Sequence, residues 1–280
     1  MPGWNTTLKA QGYTSYVDLQ LAVQQNAPTL HAGTSADFLV TLTNAGPADA
    51  NRARTIALVS GASVRVRTGG CREDPVGFPV CQFAMPLPAG ATADYLLSLG
   101  VPPAARGHLD LAVAAISDDV EAAPGQELVL LDLPIEAHVN LHASASCARS
   151  FAPKGLPVAC SAVLSNSGEA AVMAPRFSVS IPFGTLDNIG CTAPRPQLCP
   201  ANGLQSWTAG ELLPGEAIEL TFDMTVDSEM ISDTTYLSAA VYFGSGGEID
   251  DAPYDYYTTL ALPVPLFRDD FDRARLTQAH

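Results

Sequence analysis

The sequence predicts an all-β chain of two tandem antiparallel β-sandwiches, each of about 120 residues. Three observations predict it. Apolar side chains recur at every second position in several segments. Gly or Pro interrupts nearly every ten-residue stretch. One set of short motifs occurs twice in the same order.

The two-residue period comes first. Val17, Leu19, Leu21 and Val23 alternate with Asp18, Gln20 and Ala22. Phe38, Val40 and Leu42 alternate with Leu39 and Thr41, and Ile218, Leu220, Phe222, Met224 and Val226 with Glu219, Thr221, Asp223 and Thr225. Leu237, Ala239, Val241 and Phe243 repeat the pattern. Successive side chains of a strand point to opposite faces, so one set faces a core and the other faces water. No long stretch carries a 3.6-residue apolar period, and the 22 Gly and 22 Pro oppose helix throughout. Seven or eight short strands per half, with frequent turn signals, is the pattern of a sandwich.

The repeat divides the chain. Val17-Asp18-Leu19-Gln20 recurs as Val139-Asn140-Leu141-His142, and Thr43-Asn44-Ala45-Gly46 as Ser165-Asn166-Ser167-Gly168, both 122 residues on. The pair Cys71/Cys81 recurs as Cys191/Cys199, and Leu87-Pro88-Ala89-Gly90 as Leu213-Pro214-Gly215. The Asn-x-Gly turns at Asn44 and Asn166 suit positive φ. An acidic stretch falls late in each half, at Asp118, Asp119 and Glu121 and at Glu248, Asp250 and Asp251. The expected boundaries are residues 16–135 and 136–265, with a tail at 266–280. Residues 1–15 look like the last strand of a preceding module, because Thr6-Thr7-Leu8 echoes Thr258-Thr259-Leu260. The start of the chain lacks the charged beginning and apolar stretch of a signal peptide, so the signal was removed or the chain is cut from a longer one.

The six cysteines lie in three close sequential pairs, which points to disulfides and an oxidising compartment. Proximity favours Cys71–Cys81, Cys147–Cys160 and Cys191–Cys199. No C-x2-C spacing occurs and no His lies within four residues of a Cys, so a zinc site has little support.

Composition excludes some functions. The net charge is −15 and the only lysines are Lys9 and Lys154, so no basic stripe exists to neutralise nucleic-acid phosphates. Charged residues are 15%, against roughly 25% in a typical soluble domain. No apolar run approaches the ~18 residues needed to cross a membrane as a helix.

The residues also carry a resemblance. A first strand at Val17-Asp18-Leu19 is followed by the turn Ala32-Gly33-Thr34 and by a strand ending Thr43-Asn44-Ala45-Gly46-Pro47-Ala48-Asp49-Ala50. Gly70-Cys71, Val80-Cys81 and the Leu87-Pro88-Ala89-Gly90-Ala91 turn come next, before a strongly alternating strand. This order resembles the bacterial conserved repeat module known as "domain of unknown function eleven". Residues 16–135 match it well and 136–265 more loosely, since the second copy adds Cys147 and Cys160 and lacks the Pro after Gly168. The resemblance implies immunoglobulin-like sandwiches in tandem, as in secreted and cell-surface, adhesin-like proteins. The tail Leu266-Phe267-Arg268-Asp269-Asp270-Phe271-Asp272 resembles an ending common in exported bacterial proteins, with Asp270 where Gly is usual.

Few residues suggest chemistry. His138 and His142 would share a face on one strand, yet a solvated pair is the simpler reading than a metal site. No Gly-x-Ser-x-Gly elbow occurs, and Phe243-Gly244-Ser245-Gly246-Gly247 reads as a hairpin turn rather than a phosphate cradle. The acidic stretches are the candidates for a calcium ion, which takes six to eight oxygens, although solvated loop charge also accounts for them. The expectation is a non-enzymatic structural or spacer protein. The alternatives are a module binding glycan or protein through Tyr254, Tyr256 and Tyr257, and an accessory part of a secreted enzyme.

Overall fold

A computed structural model describes residues 16–265 except 27–28, 61–62, 67–70, 74–78, 84–85, 202 and 245. The expected strand at 1–15 and the tail at 266–280 lie outside the described residues. The chain is all-β, with no α-helix among the described residues and hence no helix able to cross a membrane. It divides into two compact units, residues 1–137 and 138–280.

The first unit holds β1 (Leu19–Gln25), β2 (Leu30–His31), β3 (Ser35–Asn44), β4 (Arg54–Val59), β5 (Ser63–Val66), β6 (Cys71–Glu73), β7 (Pro79–Gln82), β8 (Thr92–Gly100), β9 (Gly107–Ile116) and β10 (Leu128–Glu136). One sheet has the order β1-β3-β8-β5 and the other β2-β10-β9-β4-β7-β6. These sheets, antiparallel except for the parallel β2–β10 pair, form an immunoglobulin-like sandwich. The alternation read from the sequence sets the inner face. Phe38, Val40 and Leu97 from one sheet meet Leu111, Val113 and Ala57 from the other, all buried. The Thr55 hydroxyl donates to the Tyr95 hydroxyl at 2.9 Å between the two sheets, and burial pushes the Tyr95 phenol up from its ordinary pKa.

The second unit holds β11 (His138–Val139), β12 (Leu141–Cys147), β13 (Pro157–Asn166), β14 (Val172–Met173), β15 (Arg176–Ser180), β16 (Gly184–Thr192), β17 (Trp207–Thr208), β18 (Glu211–Leu212), β19 (Ala217–Val226), β20 (Thr234–Tyr242), β21 (Ile249–Asp250) and β22 (Tyr257–Pro263). Its two larger sheets run β12-β13-β19-β16 and β17-β15-β20-β22, matching β1-β3-β8-β5 and the β7-β4-β9-β10 part of the first unit, and β11-β21 and β14-β18 form two-stranded pairs. Every apolar residue from Ile218 to Val226 that the alternation assigned inward is buried. The indole of Trp207 stacks on Phe177 at 5.2 Å and donates to the carbonyl of Leu198.

Three disulfides close the loops: Cys71–Cys81, Cys147–Cys160 and Cys191–Cys199. Cys147 and Cys160 face each other in register, joining β12 to β13. Cys71 and Cys81 pair across the hairpin β6–β7, whereas Cys199 lies beyond the short 3-10 turn Pro196–Leu198. The two pairs that look equivalent in sequence therefore differ in geometry. Inside the last loop, Arg195 holds Glu216 at 2.6 and 2.8 Å and Glu211 at 3.2 Å, and the Glu216 bonds push its guanidinium pKa further up.

The repeated Asn-x-Gly motif works differently from the turn it suggests. Asn44 is fully buried and its amide donates to the carbonyls of Ala48 (2.8 Å) and Leu87 (3.1 Å). Its oxygen accepts from the N–H of Gly46 (3.1 Å). Asn166 repeats this with Ala170 (2.8 Å), Leu212 (3.2 Å) and Gly168 (3.0 Å), and each oxygen also accepts from the entering chain, Asn44 from the N–H of Asp18 (3.5 Å) and Asn166 from that of Asn140 (3.3 Å). Neither Gly46 nor Gly168 has positive φ. A Cβ on Gly46 would lie 2.6 Å from the backbone of Asp18, and on Gly168 2.5 Å from that of Asn140. Close approach of the first strand, rather than left-handed backbone, requires these glycines.

Candidate functional site

The acidic stretches lie in the segments joining β9 to β10 and β20 to β22, and the Tyr cluster spans the second of these and the start of β22. Immunoglobulin-like domains often place binding residues in this loop.

In the first unit the loop joins β9 to β10. Val17 bridges to Glu121, with its N–H on the Val120 carbonyl at 3.0 Å. The Glu121 carboxylate accepts from the N–H of Leu19 at 3.2 Å and of Ala122 at 3.1 Å, so it staples the entering strand. Asp119 accepts from the backbone N–H of Asn51 at 2.5 Å and from its side-chain amide at 3.1 Å. Asp118 pairs with Arg52 at 3.3 Å and Arg54 at 3.5 Å.

Glu121 titrates upward. Burial raises its pKa, the N–H groups of Leu19 and Ala123 oppose this, and Asp18 and Glu127 add to the rise. A carboxyl raised in the folded state stabilises fully below its unfolded pKa, and that contribution disappears as pH rises through the folded value. Glu121→Gln, which can still accept from Leu19, is therefore expected to melt higher than the parent at pH 7, with the gap closing near pH 4. An equal gap at both pH values in thermal melts would contradict this account.

In the second unit the loop runs from Phe243 to Tyr256 and is anchored at two points. A Cβ on Gly244 would fall 1.8 Å from the Met173 carbonyl, so the loop lies directly on that segment. Glu248 accepts from the N–H of Met173 at 2.8 Å. Within the loop, β21 pairs in parallel with β11, and Asp251 meets the His138 ring at 2.7 Å. Asp250 accepts from the N–H of Ala252 at 3.2 Å. The Gly-rich stretch thus opens the long anchored loop between the antiparallel partners β20 and β22. His138 and His142 fall on different strands, β11 and β12.

The six carboxylates read as cation candidates thus all serve the protein's own N–H groups, Arg or His side chains. Among the described residues, neither acidic trio brings three ligand oxygens within 4.8 Å of one another.

Beyond the anchors, the loop presents aromatic rings. Tyr256 touches Tyr242 (5.9 Å), Phe243 (6.4 Å) and Tyr257 (5.3 Å), all tilted. Tyr254 is 75% exposed and has φ of +99°, a conformation costly for a residue with a side chain. Tyr242 and Phe243, which the sequence reading did not group with the Tyr run, complete the cluster because β20 and β22 are adjacent.

No family model matches this chain, and no curated protein matches it. Solved structures do match. The C-terminal domain of the BspA antigen I/II polypeptide of Streptococcus agalactiae has 11% identity and a TM-score of 0.32, over 88% of this chain and 99% of that one. A CARDB domain from Pyrococcus furiosus, in complex with di-metal ions, has 11% identity and a TM-score of 0.30, over 43% of this chain and 94% of that one. A red sea bream transglutaminase has 13% identity and a TM-score of 0.30; the match covers 93% of this chain but only 33% of the enzyme.

Proposed function

We propose that this chain is a non-catalytic structural or spacer element of a secreted or cell-surface bacterial protein, and that it positions a neighbouring binding element. The observation that carries this reading is the duplicated Asn clamp. Two modules of one topology each fasten their first strand with the same buried amide, a device for making stable repeats. The disulfides support an oxidising, extracellular setting. The loop carboxylates support it too, since they hold the backbone.

The test tethers the chain by its C-terminus to a bead, with an epitope tag at the other end, beside a version holding only residues 138–280. Antibody access to the tag is expected to be greater on the two-module chain. Equal access would overturn the spacer reading.

A second reading has its own observation, the exposed aromatic cluster around Tyr256. Aromatic faces stack on sugars and anchor protein partners. A glycan array and a panel of matrix proteins, each run with Tyr254→Ala and Tyr257→Ala, separate the two readings. Binding lost in both variants would make the second module a binding module.

A further inference from the structure

The last strand of the first unit leaves part of its outer edge open. Ala115 donates to the Glu127 carbonyl at 2.7 Å, which sets the phase of the β9–β10 ladder. Residues opposite one another in an antiparallel pair alternate between bonded and non-bonded pairs. Leu128, Leu130 and Asp132 therefore direct N–H and C=O away from β9. The phase agrees at both ends: Gln126 accepts outward from Leu21 (2.9 Å) and Glu136 from Ala32 (2.9 Å). Strand β2 covers β10 only at Ile135 and Glu136. Between these ends, no described backbone group bonds to the six outward groups of Leu128, Leu130 and Asp132.

A groove of about 670 Å3 adjoins this window. Its floor is the cross-strand row Leu58–Ala112–Leu130, in register across β4, β9 and β10. Leu58 is 45% and Leu130 69% exposed, on the face turned away from the core. The next row along carries Asp110 and Asp132. The groove thus combines free backbone groups, an aliphatic floor and an acidic end. The second unit has the matching window at Tyr257, Thr259 and Ala261, bracketed by Ala143 on the Asp255 carbonyl and Ala152 on the Pro263 carbonyl. There the strand presents a tyrosine, a threonine and an alanine.

We infer that the β10 edge is a strand-addition site for an extended peptide segment of another protein, with aliphatic side chains at alternate positions and a basic residue at one end. An added strand satisfies the six outward groups and continues the sheet. A side chain opposite Leu130 covers that residue and extends the Leu58–Ala112–Leu130 row by one strand. Its cation meets Asp110 and Asp132, beside the His108 ring that already meets Asp132 at 2.8 Å, a charge match that a second copy of this acidic chain would not supply. The site is independent of the spacer reading, since either can fail alone.

The probe is a fluorescein-labelled seven-residue peptide alternating valine and threonine between terminal lysines, measured by anisotropy at low salt. Saturable binding to the full chain is expected. N-methylating the edge-facing amides, or making Leu130→Asp, is expected to weaken it about tenfold, the scale of one or two lost hydrogen bonds. Glutamates in place of the lysines are expected to weaken it similarly. Leu130→Asp is checked for folding by circular dichroism. Equal binding of the N-methylated peptide, unchanged binding to Leu130→Asp, or no saturation would overturn the proposal. So would a dimer in sedimentation that Leu130→Asp dissolves, because the occupant would then be a second copy.

Discussion

Asn166→Ala is expected to destabilise the second module by about 3–4 kcal/mol, and Asn44→Ala to do the same in the first. Each buried amide left without a partner costs about 1–3 kcal/mol, and water cannot readily replace a fully buried side chain. Asn166 serves two carbonyls and two N–H groups that come from separate segments, so its loss loosens the entry of the first strand as well. Asn166→Asp is a sharper probe. The shape is kept, but a carboxylate cannot donate to Ala170 and Leu212. Trp207, stacked on Phe177, gives a fluorescence signal for the second module in denaturant titrations. A loss below about 1 kcal/mol for both variants would show that the clamp is incidental.

Reduction of the disulfides is expected to have the other large effect. The pairs are 10, 13 and 8 residues apart. In the chain-entropy view each closure removes about 2.5–3 kcal/mol of freedom from the unfolded state. The second unit carries two of the three and should lose about twice as much as the first. Calorimetry with and without reductant, with six free thiols confirmed by titration, checks this. An unchanged melting profile after full reduction would remove the structural role of all three bonds. A loss confined to the first unit would contradict the loop-length argument.

Much of this architecture was legible in the residues, for definite reasons. Ile218 to Val226 alternates without a break, so one face could be assigned inward before any fold was known. The 122-residue offset between Asn44 and Asn166 marked a repeat because both positions perform the same task. The close cysteine pairs were readable because short loops are the ones a disulfide closes easily.

Other features were not legible. Leu128-Val129-Leu130-Leu131 is apolar at every position, so no period shows which residues face out, and the groove on β10 was invisible. Sequence shows the charge of Glu121 and Asp119 but not the N–H groups of Leu19 and Asn51 that face them. Tyr242 joins Tyr256 and Tyr257 only through strand pairing across the sheet. Gly46 and Gly168 were read through backbone torsion, when the deciding factor was another strand lying against them.

The cross-strand bond between Cys147 and Cys160 has a mechanical consequence. Tension applied at the start of the second unit can peel β12 from β13 only as far as Cys147, where a covalent link holds. The 13 residues up to Cys160 then stay bypassed by the load, about 45 Å of chain at full extension. Thiol chemistry at that bond would therefore decide how far this part of the protein lengthens under traction before its interior gives way.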